Sequence, residues 1–365
     1  MAGAQRILVL TDPTLLVRHA NDRLVMVRDK KEVAAVPVAD LAHVAVHGPV
    51  TMTGAAVARL MEAGVDVTLY SSSGSFRGVM HGHTAKNVYL LLAQVDAWKS
   101  DQKRLALARP IVSSKIAGQR MLLLRVGESR GSARIDIAVE RMLRLEEETW
   151  DETKLDSLRG LEGAAAAAYF DAFGECLAEG WEFPKRVRRP PTDPVNALLS
   201  FGYALATGEL VRQLHVHGFD PRIGFLHGLR YGRVSLALDL LEEFRAPMVD
   251  RFTLSLINRK QLRGDEFEEH IEGGVRLNPE ARRRYLELWE EMMVERAPKL
   301  RHEPEAAALV VSTEVARVKS EVREEEEGGR TWRKRMEGRL DALRRYLLHG
   351  EEFRPLQRSA KVRGR

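Results

Sequence analysis

His227, Asp239 and Glu242 fall within sixteen residues of one another, in the stretch Gly224-Phe-Leu-His-Gly-Leu-Arg-Tyr-Gly-Arg-Val-Ser-Leu-Ala-Leu-Asp-Leu-Leu-Glu-Glu-Phe-Arg245. Asp239 and Glu242 stand three apart in a run that reads as a helix. That spacing puts both carboxylates on one face, about a turn apart, where one divalent cation could touch both. The turn between Gly228 and Gly232 can fold the chain back so that the His227 imidazole meets the first turns of that helix. Arg230, Arg233 and Arg245 lie alongside, and the group reads as half of a metal site flanked by guanidinium groups.

The elements that must position this group fall into two textures. Up to residue 84, short apolar or alternating runs at 7–10, 15–18, 24–28, 33–38, 43–47, 65–70 and 76–80 are punctuated by Asp-Pro, Asn-Asp, Gly-Pro and Ser-Gly turns, the pattern of strands. One helix, 54–63, interrupts them. From Asn87 the period becomes helical. The predicted fold is α+β, a small N-terminal β-sandwich-like domain joined to a larger all-α C-terminal catalytic domain. Its expected divisions are a dimerisation domain over 1–84, a catalytic domain over 85–349 and a basic flexible tail over 350–365.

Capping chemistry places several helices. Asp193-Pro194 is an N-cap with proline at the first helical position, opening a helix to about residue 214. Ser235 is the expected N-cap of the helix carrying Asp239 and Glu242. Glu162-Gly-Ala-Ala-Ala-Ala-Ala-Tyr169 is helical by propensity, and its alanines let another element approach closely. The acidic run and Gly-Gly between 321 and 329 predict a break before a last helix, 331–348. His215 and His217 sit two apart, which on a helix points them away from each other, so a helix-end role is expected. The Ser71–Ser75 loop has no lysine or helix start after it and reads as a hairpin turn.

Lys plus Arg number 57 against 52 Asp plus Glu, a net +5 with a sequence pI near 9.3, which suits a polyanion partner without requiring one. The excess is local. Lys185, Arg186, Arg188 and Arg189 crowd a Pro-bounded loop, and five basic residues with no acidic one lie between Arg354 and Arg365. A single cysteine, Cys176, excludes an intrachain disulfide framework and a multi-Cys zinc site. No apolar run reaches the roughly eighteen residues needed to cross a bilayer, and no signal pattern opens the chain, so a cytoplasmic protein without a membrane partner is expected.

Four motifs in order, Leu161-Glu-Gly-Ala-Ala-Ala, Asp193-Pro-Val-Asn-Ala-Leu-Leu-Ser-Phe-Gly-Tyr203, Gly224-Phe-Leu-His-Gly-Leu-Arg-Tyr-Gly-Arg233 and Ser235-Leu-Ala-Leu-Asp-Leu-Leu-Glu-Glu-Phe-Arg245, closely resemble those of the CRISPR-associated adaptation integrases, which insert new spacers. The resemblance implies a metal held by Glu162, His227 and Glu242, with Asp239 as a further acidic group at the catalytic site. Many members have aspartate where Glu242 stands, which leaves open whether Glu242 or Asp239 is the closer ligand. It further implies a homodimer formed through the β domain, double-stranded DNA as fragment and repeat, and a small ferredoxin-like companion protein.

The donor set agrees with that chemistry. Two or three carboxylates attract Mg²⁺ or Mn²⁺, and an imidazole tilts the preference toward Mn²⁺. Such a cation polarises a phosphoryl oxygen, so cleavage and joining of phosphodiesters can share one site. The arginines, the basic loop and Tyr203 are candidate DNA contacts; Asn196 and Tyr203 could equally knit helices together. Singly, Asp239 or Glu242 is an ordinary helix carboxylate and His227 a packed histidine; their conjunction with Glu162 and the motifs points to an integrase. The alternatives are a metal-dependent nuclease on branched DNA or repair intermediates, and a non-catalytic DNA-binding scaffold.

Overall fold

The computed structural model describes residues 6–72, 74–82, 87–127, 130–187, 190–269, 273–294 and 331–357. Two four-stranded sheets form the N-terminal part. In the first, β1 (Arg6–Leu10), β5 (Leu41–His47) and β7 (Asp66–Tyr70) run parallel and β8 (Phe76–Met80) pairs antiparallel with β7, in the order β1-β5-β7-β8. In the second, β2 (Leu16–Ala20), β3 (Arg23–Arg28) and β4 (Lys31–Pro37) form an antiparallel meander, and the two-residue β6 (Thr51–Met52), which the sequence pattern did not reveal, adds parallel to β2. The predicted helix is α1 (Gly54–Glu62), capped by the Thr53 hydroxyl.

Period-two alternation decides which core each strand face meets. Val44 and Val46 of β5 pack with Val17, Leu24, Met26, Ala56 and Leu60 in a core shared by the two sheets and α1. The opposite face of the first sheet, with Ala45 and Tyr70, belongs to the larger helical core. That sheet is therefore covered on both sides, which explains the buried His43 and His47. Arg212 joins the two parts by bridging Asp66 of β7 at 3.0 Å and Glu209 at 2.8 Å.

The helical part comprises α2 (Val88–Lys99), α3 (Asp101–Gly127), α4 (Ala133–Glu148), α5 (Leu155–Phe173), α6 (Pro194–Val216), α7 (Ser235–Phe244), α8 (Arg251–Asn258), α9 (Pro279–Val294) and α10 (Trp332–His349). Helix α3 is buried around much of its circumference, and Ala165, Ala168 and Ala172 of α5 lie in the same core. Asp193 caps α6 by accepting the Asn196 amide at 2.8 Å, as the Asp-Pro signal predicts. Ser235 is not a cap. It is the first residue of α7, where its hydroxyl donates to the Gly228 carbonyl and accepts from Arg233 Nε, both at 3.2 Å.

Two further differences concern the C-terminal half. A short hairpin of β9 (Phe267–Glu269) and β10 (Val275–Leu277) interrupts the helices; three-residue strands are too short to declare a period. The expected flexible tail is instead packed as far as Gln357, with Phe353 and Gln357 buried. Residues 358–365 and 321–329 lie outside the described residues. No helix among those described is long and apolar enough to cross a membrane.

Candidate metal centre

Glu162 leaves α5 and Glu242 leaves α7 toward the same point, and the ammonium of Lys115, from α3, stands there. Lys115 Nζ donates to Glu162 Oε1 and lies 2.6 Å from Glu242 Oε2. The Lys115 side chain is 4% exposed, Glu242 5% and Glu162 24%. Burial pushes the Glu242 carboxyl up, but Arg245, 3.2 Å away, and Lys115 outweigh it and hold the group down at about 2. Glu242 is thus an ionised carboxylate in a dry place.

His227 is built by the turn the sequence predicts. The loop leading into α7 passes so close to the helix that a Cβ at Gly224 would meet Asp239 Oδ2 at 2.7 Å, so only glycine fits there. Asp239 is fully buried and both its oxygens are taken: Oδ2 accepts the amides of Phe225 (2.5 Å) and Leu226 (2.9 Å), and Oδ1 accepts the amide of His227 (2.9 Å) and its Nδ1 (2.6 Å). A carboxylate can only accept, so Nδ1 carries the proton and Nε2 keeps its lone pair. Asp239 holds the histidine, while Glu242 faces the cation position.

Beneath lies a second buried group. A single π-helical turn, Arg245–Asp250, stacks Arg245 on the Tyr203 ring at 4.6 Å and sets Asp250 between two phenols. Tyr203 and Tyr169 donate to its two oxygens at 2.5 and 2.9 Å. Burial raises the Asp250 carboxyl to about 6, against the lowering effect of those hydrogen bonds.

The candidate DNA contacts divide. Arg230 is exposed, as are Leu229 and Tyr231 beside it, and so is Lys185. Arg233 is tied to the Gly228 carbonyl and Ser235 and braces the turn. Tyr203 is buried, and Arg245, 14% exposed, is held between Glu242 and the Tyr203 ring, so both serve the interior of the site. Arg186 donates to Asn196 Oδ1 at 2.6 Å and Ser200 Oγ at 3.0 Å; Asn196 also accepts the Val187 amide and donates to the Lys185 carbonyl. Arg186 and Asn196 therefore pin the loop onto α6. Arg188 and Arg189 lie outside the described residues. His215 stacks on His81 and His217, the C-cap of α6, meets Arg344, consistent with helix-end roles.

Sequence reasoning missed Lys115 and Asp250. The signal for Lys115 was a lone charge in Pro110-Ile-Val-Ser-Ser-Lys-Ile-Ala-Gly-Gln119, a helical stretch with no acidic residue to pair with it. Among the described residues no three of His, Cys, Asp and Glu converge closely enough to share an ion as they stand. The donors still suit one: two carboxylates on separate helices already converge on the Lys115 ammonium, and Asp239 fixes the ring of His227 from the turn just before α7.

A strand-built domain leads into a helical one in which two glutamates from separate helices share the Lys115 ammonium, and comparisons with known proteins place this fold among the CRISPR-associated proteins. Residues 8–291 match the family model described as CRISPR associated protein Cas1, and the chain belongs to that family. It is 36% identical over 294 residues to a CRISPR-associated endonuclease Cas1 of Rhodospirillum rubrum, covering 78% of this chain and 84% of that one. A Cas1 protein of Thermotoga maritima has the same fold at 22% identity, with TM-score 0.72 over 94% of this chain and 97% of the other. A chain of a Cas6-RT-Cas1–Cas2 complex superposes with TM-score 0.76 at 26% identity, covering 97% of this chain and 36% of that longer one.

Proposed function

We propose that this Cas1 protein is a metal-dependent endonuclease and integrase of CRISPR adaptation, joining the 3′-hydroxyl of a short DNA fragment to a phosphodiester at the edge of a repeat. The observation that carries the reading is the convergence of Glu162 and Glu242 on one buried cation position beside a histidine whose Nε2 lone pair is fixed by Asp239. Glu162, Glu242 and His227 Nε2 would hold the ion. Bound there, Mg²⁺ or Mn²⁺ supplies positive charge to the reacting phosphate.

The chain's own groups do the rest. Asp239 keeps the proton on Nδ1, Arg245 keeps Glu242 ionised, and Lys115, released from between the glutamates, is left to face a phosphate oxygen. Arg230 on the exposed turn is a phosphate contact, where guanidinium geometry suits the anion. One P–O bond forms as another breaks, so no nucleotide cofactor is needed. Residues 1–84 would serve a homodimer and 85–349 catalysis, in the cytoplasm. The Cas2-containing complex of a relative supports a small companion protein.

Incubating the purified chain with a labelled fragment and repeat-containing supercoiled DNA, with and without the companion, tests this. Fragment joined to the repeat in Mn²⁺ or Mg²⁺, and lost in EDTA, is expected. Nicks without joining would favour a nuclease acting on branched DNA, and binding unaffected by EDTA with no strand change would favour a scaffold.

A further inference from the structure

Helices α3 and α7 meet along a seam that is stitched on both flanks. On one flank lies the Lys115–Glu242 pair. On the other lie the neighbouring residues Ser114 and Glu243, about 100° around each helix, and these face the C-terminal strap, residues 353–357. Glu243 is fully buried and grips Arg339 of α10 with both oxygens, one contact at 2.8 Å. Its Oε1 also accepts the Leu356 amide at 3.2 Å. Gln357 donates its amide to Ser114 Oγ and its side chain to the Glu243 carbonyl, both at 3.1 Å. Arg339 in turn holds the Arg354 carbonyl at 2.6 Å and lies 3.5 Å over the Phe353 ring. Gly118, one turn beyond Ser114, leaves room for the strap: a Cβ there would meet Gln357 Oε1 at 2.4 Å.

We propose that the strap, with Arg339, positions the metal site, holding the Glu242 face of α7 in register with the Lys115 face of α3. It touches both helices at the residues adjoining Glu242 and Lys115, yet touches neither of those two and lies beyond residues 8–291 that define the family match. The function assigned to it rests on the metal-site reading above. Because α3 packs against α5 as well as α7, a one-residue offset between α3 and α7 would carry Glu242 away from Glu162 on α5, and groups behind metal ligands commonly set affinity by 10-fold to about 100-fold.

The test uses the full chain and three variants, Gln357→Ala, Gly118→Ala and the two combined, measuring Mn²⁺ uptake from the electron paramagnetic resonance of free Mn²⁺, circular dichroism, and amide exchange of residues 236–244 without metal. Each single variant should bind Mn²⁺ about tenfold more weakly with helix content retained and exchange in α7 accelerated. The double variant should be no worse than either single, because trimming Gln357 makes space for the new methyl. Normal Mn²⁺ affinity beside a lowered melting temperature would overturn the proposal, leaving the strap a general brace. Should wild type itself take up no Mn²⁺, the metal reading fails, and α7 exchange decides: acceleration supports the strap as the register device of the seam, and unchanged exchange overturns it.

Discussion

Replacing Lys115 by methionine separates the ammonium that Glu162 and Glu242 share from the metal ion proposed to take its place. Methionine keeps the length and apolar stem of the side chain but leaves Glu162 and Glu242 facing each other, with Arg245 still beside Glu242. Removing one partner of a buried ion pair costs about 3–5 kcal/mol. Glu162 is 24% exposed, and water will screen part of that, so the lower end, about 3 kcal/mol, is expected in EDTA. A Mn²⁺ ion at a hundred times its dissociation constant stabilises by about 2.7 kcal/mol. In wild type the ion must first displace the ammonium, so its net gain is smaller; in Lys115→Met it enters a site waiting for charge. Urea unfolding in EDTA and in Mn²⁺ should therefore show a large midpoint loss that Mn²⁺ mostly restores in the variant, against a small Mn²⁺ shift in wild type. Lys115→Met/Glu162→Gln should regain stability in EDTA but not the Mn²⁺ response. Equal stability of Lys115→Met and wild type in EDTA, or equal Mn²⁺ shifts in both, would refute the idea that Lys115 occupies the cation position.

The remaining expectations are narrower. Asp239→Asn turns an amide group toward two N–H donors and should lose about 3 kcal/mol from two charge-assisted hydrogen bonds; joining should persist only at raised Mn²⁺, and an unchanged Mn²⁺ requirement would mean that Asp239 does not orient His227. Glu162→Ala, His227→Ala and Glu242→Ala should each abolish joining with DNA binding retained, and wild-type-like joining by any two of them would sink the ligand set. Asp250 has a carboxyl raised from 3.8 to about 6, so its contribution to stability is full below about pH 3.8 and lost as pH rises through about 6; the midpoint difference between wild type and Asp250→Asn should move in favour of the variant over that window, and a constant difference would remove Asp250 as its cause. Lys185→Ser should flatten the salt dependence of DNA binding without touching stability, whereas Arg186→Ser should loosen the loop from α6; the reverse pattern in melting and salt-titration experiments would show Arg186 to be the DNA contact.

Local chemistry written in the chain determined a good deal. Short apolar or alternating runs between turn residues in the first 84 residues marked seven strands nearly to their ends, since a strand buried on one face alternates and one covered on both faces is apolar throughout. Asp193-Pro194 opened α6, and the glycines around His227 folded it back onto α7, because capping and turn geometry act between residues close in sequence. Spacing alone could show that Asp239 and Glu242 share a helix, but not which of them meets the Lys115 ammonium. Only the packing of the 224–227 loop, which takes both Asp239 oxygens, separates the two roles. Lys115 and Glu162 are 47 residues apart, and Gln357 reaches Ser114 across 243. Contacts of that length leave no periodic trace; they exist only where the folded core carries α3, α5, α7 and the strap to one place, and a charge can be buried there because its partners arrive from elsewhere in the chain.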